Sequence, residues 1–217
     1  MDTHQADLLA AELSAIAPHI WLAVTAGVVL LHDILTGGKS PRTSGWISLA
    51  GLVYVASRLW DAWGAAAPDT TVFSMVRVDS FALLFQLLGT LGVMGVVVLC
   101  LTTDEYAEDR ERLTGEIFFL LLCALLGIFF MVSASHLLLV VLGVETLSLC
   151  SYALAASFKA NRASAEAGLK YVLYGGVASG VMIYGISLLY GLTGSLRIDE
   201  MGSALAQSGG STVMGLG

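Results

Sequence analysis

Charge is scarce in this sequence. Charged residues fill only 12% of the 217 positions, about half the share usual in a soluble domain. Positive charge is scarcer still, since 10 Lys and Arg stand against 17 Asp and Glu for a net charge of -7. That balance excludes the basic patch a nucleic-acid partner needs. There are three cysteines, Cys100, Cys123 and Cys150, each inside an apolar run, with no CxxC pair and no neighbouring His. They read as core thiols, and neither a disulfide framework, a metal site nor an iron–sulfur ligand set is expected from them. No glycine fingerprint for a nucleotide-binding turn occurs either. The N-terminus lacks the basic stretch of a cleaved signal peptide, carrying Asp2, Asp7 and Glu12 instead, so the first apolar run is expected to be retained.

What the chain has in abundance is apolar surface. It is 57% hydrophobic, with a mean hydropathy of +0.83. Six apolar stretches cover residues 18–35, 46–60, 81–101, 117–132, 136–156 and 169–192. Lipid offers no water to stray backbone groups, and none of these runs shows the dyad alternation of a barrel strand, so all six are read as transmembrane helices. The second is short and carries Tyr54 and Arg58. The expectation is therefore an all-α polytopic bundle forming one membrane domain over residues 1–217. A leader (1–17) lies on the outer face, three helices fill 18–101, and helices four to six fill 117–192. A polar, Gly-rich loop and the start of a seventh helix occupy 193–217.

Orientation follows from the basic residues, which favour cytoplasmic loops. The odd loops hold Lys39, Arg42, Arg110, Arg112, Lys159 and Arg162, and the even side holds Arg58, Arg77 and Arg197. The N-terminus is thereby placed outside. The acidic third loop, residues 104–116, reads as a solvated cytoplasmic segment that could also dock a partner subunit. Asp33, Arg77 and Asp79 read as ordinary interface charges.

The stretch SHLLLVVLGVETLSLCSY holds a carboxylate, Glu145, near the middle of the fifth helix. A charge there costs ~2.5 to 3.5 kcal/mol even on the gentlest insertion scale. Glu145, Ser148 and Tyr152 fall within ~60° of one another at helical spacing, forming a polar stripe that faces protein or water. Glu145 is thus a candidate proton carrier, with the hydroxyls as possible relays; the alternative is a protonated acid bonded to a neighbouring helix. On the sixth helix Lys170 shares a face with Glu166 and Tyr174 at i-4 and i+4. It reads either as a second proton carrier, with Tyr174 as a possible relay, or as a lysine snorkelling to the interface. His136, opening the fifth helix, could pass protons at the mouth of a path or be structural. Gly176 and Gly180 form a GxxxG step suited to close helix packing.

Residues 136–196 do more than suggest a class. LGVETLSL around Glu145, the R-x-S-x-E-A-x-L-K-Y segment from Arg162 to Tyr171, and ASG-x-x-x-YGISLLYG-x-TGS ending at Ser195 resemble the subunit N family of the proton-pumping NADH:quinone oxidoreductase, respiratory complex I. RVDSFALLF from Arg77 to Phe85 is similar to the opening of that family's third helix, while His19 stands where the family often has an acid. The resemblance implies an antiporter-like fold of fourteen helices with two inverted five-helix repeats, of which this chain would be the N-terminal portion. It implies that Glu145 and Lys170 take part in proton transfer, and that the usual lysine partner of Glu145 lies on a seventh helix beyond Gly217. NADH, FMN, iron–sulfur clusters and quinone are expected on other subunits, with none in this chain. The expected partners are other membrane subunits of complex I, especially antiporter-like neighbours, and the lipid of a bacterial inner membrane. Two other classes stay open: a subunit of a multisubunit cation/proton antiporter, and a structural membrane scaffold.

Overall fold

A computed structural model describes residues 13–64, 70–102, 114–158 and 161–214. Most of the leader and all but the edges of the acidic third loop lie outside these. Among the described residues seven helices run in chain order: α1 Ala17–Thr36, α2 Pro41–Gly64, α3 Ser80–Thr102, α4 Gly115–Val132, α5 Leu137–Ala155, α6 Arg162–Thr193 and α7 Ile198–Met214. Among the described residues, α1, α3, α4, α5 and α6 are long and apolar enough to cross a membrane. At 24 residues, α2 is ~36 Å long, also enough to cross. Arg58, Asp61 and a run of hydroxyl residues, however, make its composition too polar to qualify on that ground.

The helix ends are written locally. Pro18 sits in the first turn of α1, where its missing N–H costs nothing, and Gly37 ends the helix in the left-handed region at φ 60°. Asp79 Oδ1 accepts the Ala82 backbone N–H at 2.7 Å, so it caps α3. Asn161 Oδ1 does the same for α6 through Ala163 at 2.9 Å, and that helix ends at Gly194, φ 70°. Arg77 and Asp79, read from sequence as plain interface charges, thus include a helix cap.

The buried apolar core belongs to α1–α4. Leu22 and Val29 of α1, Leu52 and Val55 of α2, Val97 of α3 and Phe118, Leu122 and Phe129 of α4 are all fully enclosed in one cluster. Helix α5 joins this core through α4. A Cβ on Gly127 would lie 2.8 Å from the Gly143 carbonyl oxygen and 2.8 Å from the Leu147 nitrogen, so the two backbones touch. In lipid, where apolar burial no longer drives helices together, small residues that permit such contact supply the attraction. Helix α6 packs mainly against α5, with a smaller contact to α7. Gly176 and Gly180, expected to be its packing step, have nothing within 4 Å among the described residues. The close approach is made by Gly168 against Ala156 and by Gly175 against Tyr152.

Two features depart from the expected layout of helices and loops. A small antiparallel hairpin pairs β1 Thr70–Val72 with β2 Val76–Val78. Its turn places Phe73 at φ 51° and Ser74 at φ 57°, with the Met75 N–H bonded to the Val72 carbonyl at 3.1 Å. That is the mirror-image turn suited to hairpins, built without the usual Gly or Asn. The stretch expected as a polar loop after α6 is largely helical instead, as α7. Asp199 and Glu200 lie in its first turn, where acids complement the helix dipole, and Met201 is buried.

The hairpin gathers the other loops of its end of the bundle. The α4–α5 linker pairs with it on one side, through Arg77 N–H to Ser133 O at 2.6 Å and Ser135 N–H to Met75 O at 2.8 Å. On its other side the linker pairs with the α6–α7 connection, through Leu137 N–H to Leu196 O at 2.9 Å and Ile198 N–H to Ser135 O at 3.1 Å. Three connections that are distant in sequence therefore form one small clamp over the hairpin end.

Candidate functional site

Glu145 lies midway along α5, two turns before Tyr152, and the helical period puts both on the same face. Tyr152 is buried. Its ring meets Tyr171 of α6 edge-on, with centroids 4.7 Å apart, and its hydroxyl fills the space where a Cβ on Gly175 would be. The stripe expected from the sequence thus faces α6 at Tyr152. Glu145 itself is partly buried, and among the described residues its Oε1 is enclosed with no hydrogen-bond partner. A buried carboxylate oxygen without a partner costs ~1 to 3 kcal/mol and calls for a proton, a water or a cation. Ser148 is half-buried on the same helix.

Lys170 is placed elsewhere. Its Nζ donates to Glu166 Oε1 at 2.6 Å, and both side chains are largely exposed, at 65% and 61%. Tyr174 on the same face is 78% exposed. The contacts of Gly168 with Ala156 and of Gly175 with Tyr152 fix the antiparallel register of α5 and α6. Lys170 is then level with the C-terminal end of α5, about 15 Å along the axis from Glu145 at 1.5 Å per residue. The two residues singled out for proton transfer are not brought together. The spacing pair that does form is the local Glu166–Lys170 one.

His136 is the N-cap of α5, its Nδ1 accepting the Leu138 N–H at 3.3 Å. It lines an open cavity of about 380 Å³ with Tyr190, Ser195, Arg197 and the hairpin tip. Arg197 there is already held by Asp199 at 3.0 Å and Glu200 at 3.2 Å. The hydrogen bond from Arg197 and its positive charge keep the Asp199 carboxyl below the usual carboxylate range.

Sequence reasoning gave no role to two polar residues that the fold encloses. His19, read only as a departure from a family pattern, is buried against Ser133 and Gln86. Asp33, read as an interface charge, has its Oδ1 enclosed without a hydrogen bond among the described residues, packed on Gly115 at the start of α4. The available signal was the one that revealed Glu145: a polar side chain within an apolar span. Among the described residues no group of three or more His, Cys, Asp or Glu is placed to hold a metal ion.

Residues 134–217 match the family described as NADH:quinone oxidoreductase/Mrp antiporter, TM. The chain is 33% identical over 216 residues to NADH-quinone oxidoreductase subunit N of Trichlorobacter lovleyi, a comparison covering 98% of this chain and 43% of that protein. It is 39% identical over 188 residues to subunit N of Acidithiobacillus ferrooxidans, covering 87% of this chain and 38% of that one. Among solved structures it is similar to a chain of respiratory complex I from Thermus thermophilus with bound aureothin. That match has a TM-score of 0.68 and 31% identity, and covers 83% of this chain and 38% of the other. The chain spans about two-fifths of the length of the curated relatives it matches.

Proposed function

We infer that this chain, a multi-pass membrane protein homologous along most of its length to NADH-quinone oxidoreductase subunit N, takes part in proton translocation within a complex I assembly. The observation that carries the reading is Glu145 at the middle of α5, its Oε1 enclosed without a hydrogen-bond partner among the described residues. An acid inside an apolar span is a candidate proton carrier that responds to the water and positive charge of its surroundings. Quinone reduction elsewhere in the assembly would change those surroundings, and NADH, FMN and iron–sulfur clusters would be held by other subunits. Lys170 would exchange protons at the end of the bundle opposite the hairpin, which the basic residues place on the cytoplasmic side of a bacterial inner membrane with the N-terminus outside. Its offset of about 15 Å from Glu145 makes it a surface-side carrier and not the direct ion-pair partner.

The test is Glu145→Gln in the intact complex, with proton uptake measured in vesicles alongside NADH oxidation. Pumping is expected to fall while assembly is retained; full pumping in a normally assembled complex would overturn the relay role. Lys170→Met that leaves pumping intact would assign that lysine to snorkelling.

The matched family description also names the Mrp antiporter, which keeps a second reading in view: a subunit of a multisubunit cation/proton antiporter. Co-purification separates the two, because the complex I reading requires flavin and iron–sulfur subunits in the same particle.

A further inference from the structure

The three cysteines are free thiols, and two of them meet across the seam between α4 and α5. The side chains of Cys123 and Cys150 hydrogen-bond to each other. Cys150 is 8% exposed, while Cys123 is only partly buried. Cys100, on α3, has no thiol partner among the described residues.

The backbone contact that joins the two helices is what brings these sulfurs together. A Cβ on Gly127 would lie 2.8 Å from the Leu147 nitrogen and 3.3 Å from the Leu147 Cα. Cys123 stands one turn before Gly127 on α4, and Cys150 one turn after Leu147 on α5. Helical period keeps each cysteine on the face of the glycine or leucine it neighbours. Because the helices are antiparallel, the two steps also run in the same direction.

With one further C–C bond of ~1.5 Å, the 3.3 Å approach puts the Gly127 and Leu147 Cα atoms within about 5 Å of each other. The helices pack along their length, and a shallow crossing of ~20° opens them by only ~2 Å over one ~5.4 Å turn. That keeps the Cys123 and Cys150 Cα atoms at the ~4.4 to 6.8 Å separation at which a disulfide closes. Among the described residues no His, Asp or Glu joins the pair in a metal-binding group, so the chemistry open to it is that of two sulfurs.

We propose that Cys123 and Cys150 form a dithiol modification site, which a lipid-soluble disulfide oxidises to a covalent bond between α4 and α5. One protein sulfur attacks the reagent disulfide, forming a mixed disulfide and releasing the first reagent thiol. The second protein sulfur then attacks the first, forming the Cys123–Cys150 bond and releasing the other reagent thiol. The two cysteine protons leave on the two released thiols, and the two electrons lost by the pair reduce the reagent. Thiols within an apolar span are slow in the first attack. In the second the partner is already in contact, so the step is unimolecular and the mixed disulfide does not accumulate. The bond pins α5 to α4 about a turn and a half from Glu145, and the inference does not depend on the role of that acid.

The test treats the full-length, membrane-embedded protein with dithiodipyridine, a disulfide that partitions into lipid, and maps its peptides by mass spectrometry without reduction. Cys123 and Cys150 are expected in one cross-linked pair, lighter by two hydrogens and free of pyridylthio groups, and dithiothreitol should return both thiols. Separate pyridylthio groups on the two cysteines would overturn the proposal, as would two unchanged thiols. In a Cys150→Ser protein, Cys123 is expected to keep its pyridylthio group. Its conversion there to a bond with Cys100 would show that contact with Cys150 does not select the partner, and would equally overturn it. The wild-type map decides the matter if that variant does not fold.

Discussion

Gly127 of α4 and Gly143 of α5 are in backbone contact: a Cβ on Gly143 would lie 2.7 Å from the Gly127 carbonyl oxygen and 2.8 Å from the Met131 nitrogen. The obstructing atoms are main-chain atoms of a helix and cannot rotate away. Gly143→Ala or Gly127→Ala should therefore force α4 and α5 apart, costing ~1 to 3 kcal/mol or more. Gly180→Ala meets open space and gains helix propensity. Denaturation midpoints in mild detergent check the contrast, with both α4–α5 variants expected well below Gly180→Ala.

Tyr152 Oη occupies the place of a Gly175 side chain. Gly175→Ala should destabilise the α5–α6 contact, and Tyr152→Phe should relieve part of that loss by removing the clashing oxygen. A double-mutant cycle reads the coupling directly, expected at ~0.5 to 3 kcal/mol for residues in contact. Additive effects would mean that the two helices do not meet at this register.

Asp79 accepts the Ala82 N–H at the start of α3. Asp79→Ala should cost about 1 kcal/mol and Asp79→Asn only a fraction of that, since the amide oxygen can still cap. Thermal unfolding of the two variants measures the difference.

Asp199 provides a pH dependence. Its carboxyl sits below the ordinary range because Arg197 hydrogen-bonds to it and lies close by in charge. A depressed folded-state pKa contributes stability above the unfolded value and loses it as pH falls through the folded one. The α7 start should thus hold through mild acid and loosen only below the usual carboxylate range. Carboxyl carbon titration by NMR should place the Asp199 midpoint below that of a free aspartate, and Arg197→Gln should return it there.

Much of the bundle is legible in the sequence alone. The apolar runs from 81 to 101 and from 117 to 132 match α3 and α4 to within two residues, because length and apolarity are local properties that a bilayer reads directly. The polar stripe on α5 is legible for the same reason, since helical period alone sets which side chains share a face. The hairpin is not. Phe73 and Ser74 are poor left-handed residues, and their hairpin is held in place by pairing with residues 133–135, far away in sequence. The helix α7 is hidden by its polar composition, which resembles a loop until Asp199, Glu200 and the buried Met201 are seen at its start.

By itself the sequence determined the apolar spans and the presence of an ionisable residue inside α5. Only the tertiary structure decided which glycines bring α5 against its neighbours, Gly127 and Gly143 towards α4 and Gly168 and Gly175 towards α6, while Gly176 and Gly180 touch nothing among the described residues. It alone separated Lys170 from Glu145 and enclosed His19. Those outcomes depend on the register between helices, which is set by contacts across the bundle and leaves no trace in the spacing along any one of them.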